Sequence, residues 1–266
     1  MEPLVLESTE HGVTRLTFNR PAQRNAMSVD MMELFVEKFT RAAADPSVRC
    51  IVLDGAGGNF VAGGDIKSWS RLIGMSPAER SADFVTRMAG SDEVMLRIDA
   101  VDKPIITAVR GHAAGAGLSF VLVADFVVAE ENAQFHFANI RAALVPDFGI
   151  TYFLPRVVGE RQAMRLSLLG SQIGAAQGQA LGLVTDLVPS GDFDAKVAEL
   201  AAKLAAGPVT AAAKTKKLLR AARHATLGQQ LKAEIDGVVT CAADEDFLEA
   251  VSAFASRRPP QFGRPG

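Results

Sequence analysis

The chain has 266 residues, of which 48% are hydrophobic, and its 28 basic and 30 acidic residues give a formal net charge of −2. This length suits one large domain, or one domain with an appendage, and such a chain buries enough surface to fold without disulfides. The near-neutral charge argues against electrostatic binding of nucleic acid, because proteins of that class carry a clear basic excess.

Cysteines, histidines and targeting signals exclude further classes of protein. Cys50 and Cys241 cannot form a disulfide framework, and the four histidines lack the spacing of metal ligands. The acidic N-terminal segment lacks the basic and apolar regions of a signal peptide, and the apolar stretch 113–124 is too short for a bilayer span. We therefore expect a soluble, cytoplasmic protein with no bound metal and no membrane partner.

Strand-like and helix-like segments alternate through the first half of the chain. Short apolar runs predict the strands, and Ser28 is a suitable cap for the first helix. In chain order we predict strands at 4–7 and 13–18, a helix at about 29–44, a strand at 50–53, a helical region at about 77–99, a strand at 105–109, a helix from about 116, and strands at 125–129 and 134–137. This alternation predicts an α/β fold with crossover connections.

The pattern changes to all-helical after about Pro189. Four successive segments have helical patterns, namely 191–206, 208–223, 227–242 and 244–256. We place a loose boundary between 189 and 208. The second of these helices carries a cluster of basic residues, which a solvated face or the rim of a ligand site explains better than RNA binding; these are Lys214, Lys216, Lys217, Arg220 and Arg223.

Two glycine-rich loops, 55–69 and 110–120, share one context. Each follows a short apolar strand and leads into a helix, so each can present backbone N–H groups beside the positive end of a helix dipole. Two such loops that converge would form an oxyanion hole. The alternative is that the glycines only permit tight turns and close packing. No P-loop or nucleophile elbow occurs, and Phe120 occupies the third glycine position of a dinucleotide fingerprint.

Five segments carry a resemblance to a known family. They are FNRPAQRNAMS at 18–28, VAGGDIKSW at 61–69, AVRGHAAGAGL at 108–118, AQFHFANIRAALVPDFG at 133–149 and FASRRPPQF at 254–262. In order and spacing they resemble the crotonase superfamily, also called the enoyl-CoA hydratase/isomerase family, over nearly the whole chain.

The resemblance implies an α/β fold of the crotonase type, a spiral of ββα units with a C-terminal helical trimerisation region. It implies a spiral core with the acyl-CoA site at 1–200 and a helical oligomerisation region at 201–266. A coenzyme A thioester is the expected substrate, with no other cofactor. A homotrimer or a dimer of trimers is the expected assembly, and nucleic acid is not an expected partner.

The resemblance also assigns the donors of the oxyanion hole, which are the backbone N–H groups of Gly64 and Ala116. Many family members have glycine at the second position. Alanine keeps the N–H group, so we expect the function to survive with slightly less room for the carbonyl. Fixed donors at a developing enolate are worth about 3–4 kcal/mol each.

Family hydratases use two glutamates to deliver water, and both are missing here. The corresponding positions are Ser119 and Asn139, whose side chains form hydrogen bonds but do not shuttle protons near neutral pH. The sequence therefore disfavours the standard two-glutamate hydration. The dehalogenase branch is also disfavoured, because it pairs its aspartate with a tryptophan where this chain has Asn139.

Asp147 is the candidate general base, in a segment, LVPDFG, that resembles the signature of enoyl-CoA isomerases. There an aspartate moves a proton between C2 and C4 of the acyl chain, including in ring acyl-CoA derivatives. We expect Val145 and Phe148 to desolvate Asp147 and to raise its pKa. The alternative role is a turn or helix cap. Alternative functions are an atypical hydratase and a non-catalytic acyl-CoA-binding protein.

The resemblance implies a further set of substrate-binding positions. Arg24 and Lys67 are candidates for CoA phosphates or are simply solvated, Asp65 is also a candidate helix cap, and His112 is also a candidate packing residue. The full set is Arg24, Ala26, Ala62, Asp65, Ile66, Lys67, Trp69, His112, Ser119, Asn139, Phe148, Phe254 and Phe262.

Overall fold

The computed structural model describes residues 2–64 and 66–263, with the backbone alone for 66–68. The larger of its two sheets is built from β1 (Val5–Glu10), β2 (Val13–Phe18), β3 (Cys50–Gly55), β5 (Ile105–Val109), β7 (Phe126–Glu130) and β10 (Asp186–Val188), in that spatial order. The first two strands form an antiparallel hairpin, and the other pairs are parallel. Parallel strands are covered on both faces, which explains why every residue of β3 is buried.

The smaller sheet lies beside the larger one and holds the two glycine-rich loops. Its strands, in spatial order, are β4 (Val61–Ala62), β6 (His112–Ala114), β8 (Gln134–His136) and β9 (Gln172–Gly174). The pairs β4–β6 and β6–β8 are parallel, and β8–β9 is antiparallel. Its middle residues face the core, since Ala113, Phe135 and Ile173 are buried whereas their neighbours along each strand are partly or fully exposed.

α-Helices connect the strands and form the C-terminal part of the chain. They are α1 (Val29–Ala44), α2 (Pro77–Met88), α3 (Ser91–Ala100), α4 (Ala116–Val123), α5 (Ile150–Val158), α6 (Glu160–Leu168), α7 (Ala175–Ala180), α8 (Phe193–Ala205), α9 (Val209–Ala221), α10 (Leu227–Ala242) and α11 (Glu245–Ala255). A strand of the larger sheet, a strand of the smaller sheet and then helix follow one another three times. This repetition confirms the predicted spiral of ββα units followed by a helical C-terminal part.

Two predicted segments differ from the structure. The helical region predicted at 77–99 is two helices, because Gly90 adopts a left-handed conformation with φ of 76° between α2 and α3. The boundary expected at residue 200 falls inside α8, whose buried residues Val197 and Ala205 pack on the larger sheet from both sides of that position. The division into two domains stays a prediction.

Phenylalanines fill the space between the sheets and α1. The rings of Phe18, Phe35 and Phe120 lie 5.0–5.3 Å from one another, and Phe60 packs edge-on against Phe18 at 5.9 Å. Burial of these rings is the main apolar contribution to the core. The phenylalanine-rich composition therefore serves the core more than a substrate pocket. In the described part of the chain, no helix is long and apolar enough to cross a membrane.

A buried asparagine joins the loop before α1 to the first glycine-rich loop. The Asn25 amide nitrogen donates to the carbonyl oxygens of Ala56 and Asn59 at 2.9 and 2.7 Å, and its oxygen accepts from the Arg20 amide at 2.8 Å. Asn25 is fully buried and has φ of 55°, a conformation that asparagine tolerates better than most residues. This arrangement fixes one loop against the other.

We expect Asn25→Ala to lower the free energy of unfolding by about 2–4 kcal/mol, because it leaves the carbonyl groups of two partly buried residues without these donors and places alanine at a positive φ. Urea denaturation measures this loss. The matched control is Gln23→Ala at an exposed position of the same loop, which should change stability by less than about 0.5 kcal/mol. Equal, small effects of both substitutions would contradict the assigned role of Asn25.

Candidate active site

The register of the smaller sheet brings the two glycine-rich loops side by side. Val61 and Ala62 pair with Ala113 and Ala114, so Gly63-Gly64 and Gly115-Ala116 leave the sheet together at the same edge. A Cβ atom at Gly115 would lie 3.2 Å from the Gly63 Cα atom, which shows how closely the two backbones approach. The predicted donors Gly64 and Ala116 therefore lie close together, because each comes just after one of two adjacent, parallel strands.

Helix α4 begins at this point, and its N-terminus is open. Gly115 occupies the N-cap position and offers no side chain, so nothing caps the first turn, which includes the Ala116 N–H group. A Cβ atom at Gly117 would overlap the Val61 carbonyl oxygen, so only glycine lets α4 start directly beneath β4. Gly64 is exposed. Both loops thus present backbone amides where an anionic oxygen could bind.

Residues 24–27 form the outer side of the first loop. The Met27 amide donates to the Gly63 carbonyl at 2.8 Å, and the Ala62 amide donates to the Arg24 carbonyl at 3.1 Å. The Ala26 carbonyl accepts from the Arg20 guanidinium at 2.6 Å. Ala26 and Ala62 therefore lie close to Gly64, their binding of substrate stays a prediction, and the exposed Arg24 side chain is free to extend into solvent near the loop.

Aromatic rings form a wall beside Gly64. A Cβ atom at Gly64 would lie 3.6 Å from Cζ2 of Trp69, so the indole edge covers this position. Trp69 in turn packs edge-on against Phe84 of α2, with ring centroids 5.5 Å apart. The prediction that Trp69 lies beside the site is consistent with this contact, and Phe84 was not predicted.

Asp147 stands in a tight turn before α5. The Ile150 amide donates to the Asp147 carbonyl at 3.0 Å, and the two central residues, Phe148 and Gly149, have φ values of 50° and 83°. A left-handed conformation is unfavourable for a bulky residue, so tertiary contacts must hold Phe148 there. Its ring packs edge-on against Phe120 of α4 at 5.9 Å. That contact places the turn against α4, close to the Ala116 end of the site.

The environment of Asp147 favours the protonated form of its carboxyl group. Burial raises the pKa of Asp147, and a hydrogen bond from the Asn139 amide, 3.4 Å from Oδ1, opposes the rise. The expectation that Val145 desolvates Asp147 was wrong, because its side chain is 78% exposed, whereas Phe148 is partly buried and packs against the core. Asp147 makes no cap to α5, whose N-cap is Gly149. The helix-cap alternative therefore has no support, whereas the turn alternative is confirmed, because the Asp147 carbonyl accepts the hydrogen bond from Ile150 that closes the turn.

The two positions of the hydratase glutamates differ in their surroundings. Asn139 is held by Asp147 and also donates to the Val145 carbonyl at 3.4 Å. Ser119 is fully buried on α4, and its hydroxyl group lacks a hydrogen-bond partner among the described residues. Neither side chain can act as a general acid or base near neutral pH. Asp147 is thus the proton-transfer candidate, and a hydrogen bond joins it to Asn139.

A histidine pair connects the two halves of the site. His112 Nδ1 and His136 Nε2 lie 2.8 Å apart and share a hydrogen bond between adjacent strands β6 and β8. Burial, the nearby His112, Arg141 and Arg24 lower the pKa of His136, which keeps it neutral near pH 7. His112 therefore has a positioning role between β6 and β8. Its partner was missed because a lone histidine carries no local sequence signal.

Two further predicted positions, Phe254 and Phe262, do not meet at this site within one chain. Phe254 on α11 is 87% exposed, and the Phe262 carbonyl accepts from Arg49 at 3.4 Å, at the opposite end of β3 from the glycine-rich loops. Contact of these two residues with CoA therefore requires a neighbouring subunit and stays a prediction. Asp65 and the side chains of Ile66 and Lys67 lie outside the described residues.

The arrangement suits stabilisation of an enolate. Two backbone amides can bind a thioester oxygen, an aromatic wall covers one side, and a half-buried carboxyl group with a raised pKa can exchange a proton. Among the described residues there is no group of three or more side chains that could hold a metal ion.

Comparison with known proteins places this geometry in a family. The enoyl-CoA hydratase/isomerase family profile matches residues 8–265. The 1,2-epoxyphenylacetyl-CoA isomerase of Escherichia coli K12 is 35% identical, covering 98% of this chain and 99% of the relative. The 2,3-dehydroadipyl-CoA hydratase of the same organism is 35% identical, covering 97% and 98%. The crystal structure of an enoyl-CoA hydratase from Polaromonas sp. JS666 superimposes with a TM-score of 0.89, at 31% identity, covering 97% and 99%.

We expect Asp147→Asn to leave the protein as stable as the wild type, or more stable, at pH 7. Because the folded-state pKa of Asp147 is raised, its carboxyl group favours the folded state only at low pH, and this benefit is lost as the pH rises from about 4. Urea denaturation between pH 4 and 7 should show that the free energy of unfolding of the variant rises relative to that of the wild type as the pH increases.

Asp244→Asn is the matched control, because hydrogen bonds from Thr210 and from the Asp246 amide lower the pKa of Asp244. Its carboxylate stabilises the folded state fully above the unfolded-state pKa of about 4, so this variant should be less stable than the wild type by a nearly constant amount from about pH 5 to 7. A clear loss of stability in Asp147→Asn at pH 7 would instead identify Asp147 as a structural turn residue.

Proposed function

The chain belongs to the enoyl-CoA hydratase/isomerase family, and on this premise we propose that it shifts a double bond within an acyl-CoA thioester. The proposed reaction converts a 3-enoyl-CoA to a 2-enoyl-CoA, or isomerises a related ring acyl-CoA. The observation that carries the proposal is the pairing of Asp147, a carboxyl group with a raised pKa, with Asn139, a side chain that cannot take the proton.

The first requirement of this reaction is stabilisation of the enolate. The thioester oxygen accepts hydrogen bonds from the N–H groups of Gly64 and Ala116, and it gains negative charge as the C2 proton leaves. Donors that are fixed in advance strengthen as that charge develops, by about 3–4 kcal/mol each. The closely packed loops suit such fixed donors, because the two backbones approach so closely that a Cβ atom at Gly115 would lie 3.2 Å from the Gly63 Cα atom.

The second requirement is a group that removes a proton and returns it. The Asp147 carboxylate takes the proton from C2, the electron pair delocalises over the thioester and the double bond, and the same proton returns at C4. The carboxylate is regenerated, so no other reactant is consumed. A raised pKa makes Asp147 a stronger base than an ordinary aspartate, and Asn139 holds one of its oxygens in place.

The coenzyme A part of the substrate needs cationic partners despite the overall charge of −2. We assign Arg24 this role, because it is exposed and its carbonyl is bonded to Ala62 beside the first loop. Lys67 follows the same loop in sequence and is the second candidate. Guanidinium and ammonium groups are the usual partners of phosphates in such sites.

The C-terminal helices are the proposed assembly surface of a homotrimer, or of a dimer of trimers. Large apolar side chains lie exposed along α10 and α11, and exposed patches of this kind mark contact surfaces. They include Leu231, Ile235, Val238, Val239, Leu248, Val251 and Phe254. In such an assembly Phe254 would be covered, and the tail containing Phe262 could reach a neighbouring site.

We expect Asp147→Asn to lower kcat for a 3-enoyl-CoA by at least about a hundredfold, because a neutral amide cannot carry the proton. Formation of the conjugated 2-enoyl-CoA, followed by ultraviolet absorbance, measures this loss. Asn139→Asp is the informative companion, since it restores a carboxyl group at a hydratase position.

The same enzyme should hydrate crotonyl-CoA far more slowly than it isomerises a 3-enoyl-CoA. Hydration as the faster reaction would favour the atypical hydratase alternative. Tight acyl-CoA binding without either reaction would favour a non-catalytic binding protein. Full isomerase turnover by Asp147→Asn would contradict the assigned role of Asp147.

We expect light scattering after size-exclusion chromatography to give three or six times the chain mass of 28.2 kDa. Val238→Asp should dissociate the assembly, because it buries a charge in an apolar interface. Leu168→Asp on α6 is the control, since Leu168 is similarly exposed but lies outside α10 and α11. A monomeric wild type would contradict this part of the proposal.

A further inference from the structure

The basic cluster on α9 serves two different purposes. Lys216 and Arg220 point into the core, where Lys216 Nζ lies 2.7 Å from Asp125 Oδ2, and the Arg220 nitrogens lie 2.8 and 3.0 Å from Asp99 Oδ1 and Asp125 Oδ1. These ion pairs attach α9 to the core and correct the expectation of a uniformly solvated face. Lys214 and Lys217 form no ion pair with any part of the chain that the structure describes.

Lys214 and Lys217 line a cavity of about 310 Å³. Its other side is formed by the residues that precede β3 and β5, including Arg49 and Lys103. The glycine-rich loops follow the carboxyl ends of the neighbouring strands, so the cavity lies at the opposite end of the larger sheet. It is therefore separate from the site around Gly64 and Ala116.

The two cations on the core side are held in position by backbone carbonyl groups. Lys103 Nζ donates to the Ala42 carbonyl at 2.8 Å and also to the Asp45 carbonyl. Arg49 Nη2 donates to the Gly207 carbonyl at 2.5 Å, while its Nε is buried and has no partner among the described residues. Carbonyl groups are neutral, so these hydrogen bonds hold the two cations in place without cancelling their positive charge.

Charge and shape together define the chemistry of an occupant. Four basic residues and one acidic residue, Asp102, line the cavity, and the first turn of α9 opens onto it without a side-chain cap. The remaining walls are largely apolar, with Pro104, Leu204 and Val209 among them. A neutral ligand would leave the positive charge uncompensated, and a bare inorganic ion would leave the apolar walls without contacts. The volume lies in the range of small-molecule sites.

We propose that this cavity is a second ligand site, which binds a small organic anion consisting of a carboxylate or phosphate group on an apolar body. The anionic group lies among Arg49, Lys103, Lys214 and Lys217, and the apolar body packs against the walls. Because two of these cations belong to the core and two belong to α9, the ligand joins them. Occupancy therefore strengthens the attachment of the C-terminal helices to the core.

Isothermal titration calorimetry with phenyl phosphate, benzoate and benzyl alcohol in low-salt, phosphate-free buffer tests this site directly. We expect both anions to bind and the neutral alcohol not to bind. The double variant Lys214→Gln/Lys217→Gln should weaken binding about tenfold or more, because it removes two of the four cations. Rising salt should weaken binding of the wild type.

Two matched variants locate the bound anion. Lys232→Gln removes an exposed lysine of α10 that does not line the cavity, and it should bind like the wild type. Arg24→Gln removes a proposed CoA contact, and it should also bind like the wild type. Loss of binding in Arg24→Gln with retention in the double variant would place the anion at the acyl-CoA site and overturn the proposal.

Thermal unfolding gives a second measurement that does not depend on calorimetry. Phenyl phosphate should raise the Tm of the wild type and should raise that of the double variant much less. Absence of binding and of any Tm change at millimolar concentration would overturn the proposal. This site is independent of the proposed isomerase activity, so loss of one leaves the other unaffected.

Discussion

Close contact between two stretches of backbone determines the geometry of the candidate active site. The loop after β4 and the loop after β6 leave the smaller sheet in register, and Gly115 sits against Gly63 with no room for a larger residue. Gly117 lets α4 begin directly under Val61. The two proposed donors are therefore fixed by main-chain packing, which makes them independent of side-chain rotamers. Asn25 extends the same principle outward, because it joins a third loop to the first through buried hydrogen bonds.

The segment around Asp147, which carries the proposed proton transfer, contains two features that are locally unfavourable for folding. Phe148 is held in a left-handed conformation, and burial raises the pKa of Asp147 despite hydrogen bonds from its own backbone and from Asn139. Both features disfavour the folded state when considered alone. Packing of Phe148 on Phe120 ties this strained turn to the phenylalanine core. The stability of the core therefore supports a residue whose environment suits chemistry better than stability.

The sequence predicted the elements whose signals are local and strong. Apolar β-branched runs predicted the strands around Ile51 and Ile106, and Ser28 does cap α1, accepting a hydrogen bond from the Met31 amide. Strands β9 and β10 have three residues each, which is too short for a periodic pattern. The sequence pattern between residues 77 and 99 predicted one helical region, but Gly90 divides it into α2 and α3. Glycine has a low helix propensity and readily adopts a positive φ, so this interruption is a local signal that the predicted boundaries missed.

The candidate site also combines features that the sequence predicted with features that it did not predict. The motif around Asp147 could be recognised in the sequence, and burial raises the pKa of Asp147 as expected. Other features could not be predicted, because each depends on segments that are distant in sequence. They are the exposure of Val145, the hydrogen bond between His112 and His136, and the inward ion pairs of Lys216 and Arg220. The basic cluster on α9 looked uniform in sequence, and only the packing of α9 separates its structural cations from those that face the cavity.

The central claim is that a single carboxyl group, Asp147, carries one proton from C2 to C4 of the acyl chain. Isomerisation of a 3-enoyl-CoA deuterated at C2, run in ordinary water and followed by NMR at early times, tests it most directly. If Asp147 acts alone in its half-buried position, part of the deuterium appears at C4 of the product. Complete loss of the label to water during the first turnover, with rapid isomerisation, would contradict the account and indicate a separate, solvent-linked acid.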